Sequence, residues 1–310
     1  MVEEVRHFTS IQDLSKDGLL RVLEKSGSFK EMAAEEESHE YLYQRTLGMI
    51  FAKPSTRTRV SFEVAMTELG GRAIYLGWDT LQLGRGEPIS DTAKTLSSYV
   101  DVLMARIFEH EKLLELARNS SVPVINGLTD LLHPCQAVAD LFTILEVKDR
   151  LAGLKLAYIG DGNNVCHSLL FGASKVGMDV SVASPTSYAP EDGVVEDAKA
   201  QARETEADIN IGEDPEEAVK GADVVYTDVF VSMGQEEERK RRLKDFEGFR
   251  INSGLMEIAK DDAIFMHCLP AHRGEEVTAE VIDGPSSVVF QQAENRLHTE
   301  KALLVSLFGY

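Results

Sequence analysis

Segment 53–59 concentrates cationic and hydroxyl side chains where a strand is expected to pass into a helix. It reads Lys-Pro-Ser-Thr-Arg-Thr-Arg, between an apolar run at 47–52 and apolar residues at helical spacing. The N–H groups of a first helical turn and the helix dipole favour an anion. Arginine forks suit a phosphate or a polarised carbonyl oxygen, so the segment predicts a phosphate site. The alternative is that Ser55 only caps the helix and the arginines are solvated.

Two more positions carry groups suited to a carbonyl oxygen. Arg106 lies near the end of a predicted strand at 100–107, and α/β sheets bind ligands at the carboxyl ends of their strands. Pro134 is typical of a first helical position, which places His133 at the N-cap and Gln136 one turn in. The plainer alternatives are a surface arginine lying over apolar side chains and a passive histidine cap.

Three polar segments follow predicted strands in the second half of the chain. They are Asp-Gly-Asn-Asn at 161–164, a stretch at 228–234 that begins with Asp228, and His-Cys-Leu-Pro at 267–270. Asparagine amides offer donors and acceptors to a small polar ligand. Basic neighbours would make the thiol of Cys268 ionisable at neutral pH, whereas the alternative is an inert buried cysteine.

The periodicity of the sequence predicts two α/β domains of about 150 residues each. Two amphipathic helices are expected at 11–25 and 30–46, and a last helix at 291–309. A domain boundary is expected near 148–153. Strands are expected at 47–52, 73–77, 100–107, 123–127, 154–159, 180–184, 222–228 and 262–268.

Acidic residues dominate the composition of the 310-residue chain. Lys and Arg total 32 against 52 Asp and Glu, which gives a net charge of −20. A field of that sign repels nucleic acid and anionic membranes, so an anionic substrate needs a local cationic pocket. Because the sequence has no run of eighteen apolar residues and no signal-peptide pattern at 1–6, we expect a cytoplasmic protein that does not enter a membrane.

Cofactor sites are not expected from the residues. The chain has three widely spaced cysteines, which argues against a disulfide framework: Cys135, Cys166 and Cys268. A zinc site is disfavoured because His267 and Cys268 are adjacent and would point to opposite faces of a strand. A nicotinamide cofactor is disfavoured because Val165 replaces the third glycine of the fingerprint and Ser184 replaces the ribose-binding acid.

Six segments, in order and at compatible spacing, resemble the aspartate/ornithine carbamoyltransferase family. They are Ser-Thr-Arg-Thr-Arg at 55–59, His-Pro-Cys-Gln at 133–136, Asp-Gly-Asn-Asn at 161–164, Asp-Val-Phe-Val-Ser-Met-Gly at 228–234, His-Cys-Leu-Pro at 267–270 and Glu-Asn-Arg at 294–296. Six ordered motifs spread over nearly the whole chain are far more specific than one. The first two resemble the family at large, whereas Ser-Met-Gly and His-Cys-Leu-Pro resemble its ornithine branch.

The resemblance implies an α/β fold of two doubly wound domains, each a parallel sheet flanked by helices. Residues 1–148 would bind carbamoyl phosphate and residues 149–290 would bind ornithine, while the C-terminal helix at 291–310 would return to the first domain. It also implies a homotrimer, or a higher assembly of trimers, that uses neither a metal nor an organic cofactor.

The resemblance further implies transfer of a carbamoyl group from carbamoyl phosphate to the side-chain amine of L-ornithine, and it assigns residues to that reaction. The implied catalytic residues are Cys268, Arg106, His133 and Asp228. The implied carbamoyl phosphate residues are Ser55, Thr56, Arg57, Thr58, Gln82 from a neighbouring subunit, Arg106, His133, Gln136, Cys268, Leu269 and Arg296. The implied ornithine residues are Asn164, Asp228, Ser232 and Met233.

Two other functions compete with this interpretation. Within the class, a carbamoyltransferase for putrescine or another amine could use the same first domain, although Asn164 and Ser-Met-Gly favour an amino acid. Outside the class, a non-catalytic anion-binding regulator would not need the His-Cys-Leu-Pro loop.

Overall fold

The computed structural model describes residues 7–232 and 234–310, which form two compact units. The first unit runs to Phe142 and also contains Glu294–Tyr310, and the second is Thr143–Ala293. Among the described residues, no helix has both the length and the apolar composition that a membrane span requires.

The first unit is built on a parallel four-stranded sheet in the order β2-β1-β3-β4. Its strands are β1 (Thr46–Phe51), β2 (Arg72–Gly77), β3 (Val102–Arg106) and β4 (Val124–Leu128). β1, β3 and β4 are buried along their whole length, as expected for apolar strands covered on both faces, whereas the edge strand β2 is largely exposed. The chain order reverses between β1 and β3, which in open α/β sheets marks the place where ligands bind.

The helices that begin in the first unit are α1 (Lys16–Ala34), α2 (Thr56–Glu68), α3 (Ile89–Ser97), α4 (His110–Asn119) and α5 (Pro134–Lys148). The prediction of two helices at 11–25 and 30–46 is wrong, because one helix, α1, starts at Lys16, continues between the two predicted segments and ends at Ala34. Gly27 and Ser28 lie inside α1, where the Ser28 hydroxyl bonds back to the Glu24 carbonyl. Tertiary packing of the buried side chains of α1 overrides the weak local helix preference at these two residues.

The second unit is a parallel five-stranded sheet in the order β7-β6-β5-β8-β9. Its strands are β5 (Lys155–Ile159), β6 (Asp179–Ala183), β7 (Ile209–Gly212), β8 (Val224–Thr227) and β9 (Ile264–His267). The order reverses between β5 and β8, so the loops at 160–163 and 228–232 both begin at the carboxyl ends that flank this point.

Six α-helices lie wholly within the described residues of the second unit. They are α6 (Asn164–Val176), α7 (Asp192–Thr205), α8 (Pro215–Val219), α9 (Arg239–Asp245), α10 (Ser253–Met256) and α11 (Ala279–Ile282). The last helix, α12 (Val289–Leu307), begins in the second unit and continues into the first from Glu294 onward. The expected doubly wound α/β fold with a returning C-terminal helix is therefore confirmed.

Candidate functional site

The loop after β1 opens α2 as the sequence predicts. Ser55 is the N-cap of α2, and its hydroxyl accepts a hydrogen bond from the Thr58 amide at 3.2 Å. Thr56 is exposed, Arg57 is half-buried and Thr58 is buried. The cap uses one of the four N–H groups of a first turn that have no partner inside the helix, so capping by Ser55 is compatible with anion binding at the same mouth.

A buried polar cluster lies behind this helix mouth and consists of Thr58, Arg106, Gln136 and Arg296. Arg106 Nη1 lies 3.5 Å and Arg296 Nη2 lies 3.4 Å from the Thr58 hydroxyl oxygen. Arg296 also donates from Nη1 to the Gln136 side-chain oxygen at 2.8 Å. Two guanidinium groups thus converge on one hydroxyl in a protein of net charge −20, which creates the local cationic pocket that an anionic substrate requires.

The cluster is oriented by two carboxylates that the sequence analysis did not select. Glu300 accepts from Arg296 Nη2 at 2.6 Å and from Nε at 3.1 Å, and burial raises the pKa of Glu300 to about 7. Asp140 accepts from the Gln136 amide at 2.8 Å. Both carboxylates follow their partners by four residues on a helix, a spacing that could have identified them.

His133 lies at the start of α5, where its backbone carbonyl oxygen accepts a hydrogen bond from the backbone N–H of Gln136 at 3.1 Å. The ring is buried, and the pKa of His133 lies well below its usual value because of burial and the positive charges of Arg296, Arg106 and Arg57. His133 is therefore a neutral imidazole at physiological pH, able to donate a hydrogen bond without adding charge.

Lys53 contacts the same region from the end of β1. Its ammonium lies 4.2 Å from the centre of the Phe108 ring, and burial and the charge of Arg106 lower the pKa of Lys53. Gln82, in contrast, is exposed on a short 3-10 turn at Gln82–Arg85, and its predicted role in a neighbouring subunit stays a prediction.

The second unit brings together side chains that follow β5, β8 and β9. Asp228 is buried; its Oδ1 lies 3.0 Å from the Cys268 thiol and its Oδ2 accepts from the Asn163 amide at 2.8 Å. The Cys268 thiol contacts this carboxylate, and Arg273 pairs with Asp283, while the predicted cationic surroundings of Cys268 stay a prediction. Asp228 offers the negative charge that an ammonium group requires.

Asn163 is a residue that the sequence analysis passed over in favour of its neighbour. Its side-chain oxygen accepts from the Val165 and Cys166 amides and caps α6, while its nitrogen donates to Asp228. Asn164 is the first residue of α6 and is half-buried, and Ser232 is also half-buried. Met233 lies outside the described residues.

A second missed pair links the two loops at the switch point of the second sheet. Arg242 on α9 is buried, donates to the Phe230 carbonyl at 2.6 Å and forms an ion pair with Asp161. Its guanidinium lies 4.5 Å from the centre of the Tyr188 ring. Arg242 is therefore a buried structural residue within the run of charged residues at 236–242.

The prediction that His267 and Cys268 point to opposite faces and could not bind one metal ion is also wrong. β9 ends at His267, so strand alternation does not continue to Cys268, and ligand atoms of Asp228, His267 and Cys268 lie within 4.8 Å of one another. The absence of a metal from the reaction stays a prediction.

Both parts of the chain match sequence profiles of one protein family. Residues 6–146 match the family profile described as the carbamoyl-P binding domain of aspartate/ornithine carbamoyltransferase, and residues 152–307 match that of its Asp/Orn binding domain. The chain belongs to the aspartate/ornithine carbamoyltransferase family. Thr58 and Arg106 lie in the segment that matches the carbamoyl-P binding profile. Arg296 lies near the end of the segment that matches the Asp/Orn binding profile.

Several members of the carbamoyltransferase family are close relatives. An ornithine carbamoyltransferase from Anoxybacillus flavithermus is 57% identical over 97% of this chain and 96% of the relative. The solved structure of ornithine carbamoyltransferase from Pyrococcus furiosus is 52% identical, covers 98% of this chain and 97% of that one, and has a TM-score of 0.95. A catabolic enzyme from Halobacterium salinarum is 52% identical over 98% of this chain and 99% of the relative.

Proposed function

We propose that the chain transfers the carbamoyl group of carbamoyl phosphate to the side-chain amine of L-ornithine, giving L-citrulline and phosphate. The observation that carries this proposal over an aspartate substrate is the Asp228–Cys268 contact, with the Asp228 carboxylate buried and bonded to Asn163. A buried carboxylate suits an amine-bearing side chain and would repel a second carboxylate. Relatives named ornithine carbamoyltransferase over 97% of the chain support it.

The first unit supplies the groups for carbamoyl phosphate in this proposal. The α2 mouth with Ser55, Thr56, Arg57 and Thr58 binds the phosphate, and Gln82 reaches it from a neighbouring subunit. Arg106, His133, Gln136 and Arg296 contact the carbamoyl group, and Cys268 and Leu269 act beside the reacting amine. The two guanidinium groups that meet at Thr58 support this assignment, because such forks bind phosphate and polarised oxygen strongly.

Ornithine is bound in the second unit by Asn164, Asp228, Ser232 and Met233. Its ammonium must lose a proton before it can attack, and the Asp228–Cys268 pair is placed to receive or steer that proton.

The reaction is a nucleophilic substitution at the carbonyl carbon. The neutral amine nitrogen forms a bond to that carbon, and negative charge develops on the carbonyl oxygen. The carbon–oxygen bond to phosphate then breaks, and phosphate leaves with the electron pair. The nitrogen, which became positively charged when it formed the new bond, loses one proton to give the neutral product. Arg106, Thr58 and neutral His133 stabilise the developing oxyanion, which is commonly the largest catalytic effect.

The domain limits 1–148, 149–290 and 291–310 complete the proposal, together with a cytoplasmic homotrimer. Exposed apolar side chains on the first unit support assembly: Val60 on α2 and Ile74 and Tyr75 on the edge strand β2 are 51%, 44% and 42% exposed. An open edge strand with apolar side chains normally needs cover.

A substrate panel tests the proposed reaction. Purified protein is given carbamoyl phosphate with ornithine, putrescine, lysine or aspartate, and the ureido product is measured for each. We expect citrulline formation with a kcat/KM at least ~100-fold above that of the other amines. A preference for putrescine would show that the α-amino and carboxylate groups of ornithine are not read, and no product with any amine would contradict the proposal.

A further inference from the structure

His267 and Glu276 are fully buried residues beside the Cys268–Leu269 segment that the proposed reaction does not use. His267 is the last residue of β9, and its ring nitrogen Nδ1 lies 2.8 Å from the Leu269 amide nitrogen. The amide is a donor, so Nδ1 must be the unprotonated nitrogen that accepts.

The other nitrogen of the ring faces a carboxylate. Nε2 of His267 lies 3.3 Å from Glu276 Oε1, without the alignment of a hydrogen bond, and the same oxygen accepts from the His272 amide at 2.5 Å. The nearby carboxyl group favours the tautomer with its proton on Nε2, and that tautomer leaves Nδ1 as an acceptor for Leu269. Glu276 therefore favours, through electrostatic attraction, the form of the ring that the loop requires.

The loop has a backbone conformation that needs such support. Leu269 has a φ of +56°, in the left-handed region that a leucine rarely adopts. Residues in such conformations persist only where surrounding contacts over-determine them. The preceding residue, Cys268, contacts Asp228 at 3.0 Å, so a change at Leu269 would move the thiol away from its partner.

The end of β9 has its own attachment, which does not involve the His267 ring. The His267 amide donates to the Gln292 side-chain oxygen at 3.0 Å, and Gln292 donates to the Tyr226 hydroxyl at 3.0 Å. The backbone bond therefore holds the strand, and the ring is available to hold the loop.

We propose that His267, with its tautomer set by Glu276, is a positioning residue that holds the Leu269 amide and thereby keeps Cys268 and Leu269 in their reactive arrangement. The kinetic test of this inference rests on the proposed function, whereas the predicted effect of His267 on the backbone conformation of Leu269 does not.

Two substitutions of His267 separate the roles of the two ring nitrogens. In His267→Asn the amide oxygen stands as many bonds from the backbone as Nδ1, so it can accept from Leu269 while the contact with Glu276 is lost. In His267→Gln the amide reaches toward Glu276, and the acceptor for Leu269 is lost. The two variants remove the same imidazole and serve as matched controls for each other.

We expect activity and stability to follow opposite orders in the two variants. His267→Gln should lose ~10-fold or more in kcat/KM for ornithine, because small displacements of reacting groups are costly. His267→Asn should stay within ~3-fold of the parent, yet have the lower midpoint of thermal unfolding because it leaves Glu276 without its ring partner. Equal activity losses, or activity that simply follows stability, would overturn the proposal.

Two further measurements keep the test decisive. If His267→Asn does not fold, the double variant His267→Asn with Glu276→Gln replaces it, since it leaves no uncompensated buried carboxylate. Crystal structures of the parent and His267→Gln report the φ of Leu269 directly. A left-handed Leu269 in both proteins would overturn the inference. If the parent formed no citrulline but Leu269 lost its left-handed φ in His267→Gln, the proposed function would be contradicted and the inference would stand.

Discussion

Arg106 is the residue whose loss should damage the reaction most at the smallest structural cost. It ends β3, is buried and reaches the Thr58 hydroxyl with Nη1. For Arg106→Ala we expect a loss of about 10²–10³-fold in kcat, because a fixed donor to the developing oxyanion disappears. Steady-state kinetics with both substrates measure it, and circular dichroism checks the fold.

Arg45→Ala is the matched control for that substitution. Arg45 also belongs to the first unit, but it is half-exposed and pairs with Asp101 at 2.8 Å. Such surface pairs contribute little to stability, so this variant should keep the parent kcat. If Arg106→Ala remained folded with a kcat within a few-fold of the parent, Arg106 would not stabilise the oxyanion.

His133 provides a prediction about pH. Burial and the charges of Arg296, Arg106 and Arg57 hold the pKa of His133 well below its usual value, so its ring does not gain a proton between pH 6 and 9. His133→Asn should therefore lower kcat across the whole profile without moving the acid limb of kcat/KM. A parent limb near pH 6.5 that vanished in His133→Asn would show that the ring titrates in the working range.

At the scale of the helix, α1 and α2 begin with the same type of serine N-cap hydrogen bond, but only the N-terminus of α2 is proposed to bind substrate. Ser15 accepts from the Gly18 amide at 3.0 Å and Ser55 accepts from the Thr58 amide at 3.2 Å. Substitution of either serine by alanine should cost about 1 kcal/mol of unfolding free energy. Only Ser55→Ala should also raise the KM for carbamoyl phosphate, because only that helix mouth is proposed to bind it.

Denaturant unfolding and substrate kinetics on the two variants measure both effects. An unchanged KM for carbamoyl phosphate in Ser55→Ala would show that Ser55 caps α2 and does not contribute to substrate binding. The result would then favour the plainer interpretation of the 53–59 loop.

The elements that the sequence could predict are those whose pattern is local. Apolar runs gave strands within one or two residues at β1 and β5, and Pro134 correctly predicted the start of α5. The short strand β7 was missed because its alternating pattern is only four residues long, Ile209–Gly212. The continuation of α1 through Gly27 and Ser28 was missed because these residues have a weak helix preference, which tertiary packing of the helix overrides.

At the scale of the whole molecule, the exposed edge strand β2, with Ile74 and Tyr75 44% and 42% exposed, predicts self-association. The parent should have a solution mass near three times the 34.3 kDa of the chain. Ile74→Glu should shift the mass toward that of one chain and reduce activity, because a buried unpaired charge opposes the interface. Tyr99, which is 74% exposed, offers Tyr99→Gln as a control that keeps the parent mass.

Light scattering coupled to gel filtration gives both masses. A parent that runs as a single chain at assay concentration, with full activity, would contradict the trimer and the role of Gln82. A trimer that persists in Ile74→Glu would place the interface on another surface.

The candidate site could be predicted only in part because its contacts join distant segments. Thr58, Arg106 and Arg296 were each selected by motif, but their convergence depends on the strand order and on the return of α12. Asn163 was missed because a single sequence does not show which of two neighbouring amides caps the helix and which faces the loop.

Co-crystallisation with a stable carbamoyl phosphate analogue, in which a methylene replaces the bridging oxygen, decides whether the α2 mouth binds the substrate. We predict its phosphonate at the α2 mouth, within hydrogen-bond distance of the Thr56 and Arg57 amides, and its carbonyl oxygen within reach of Arg106 and His133. A ligand bound elsewhere, with Arg106 and Arg296 unchanged and uncontacted, would contradict the account.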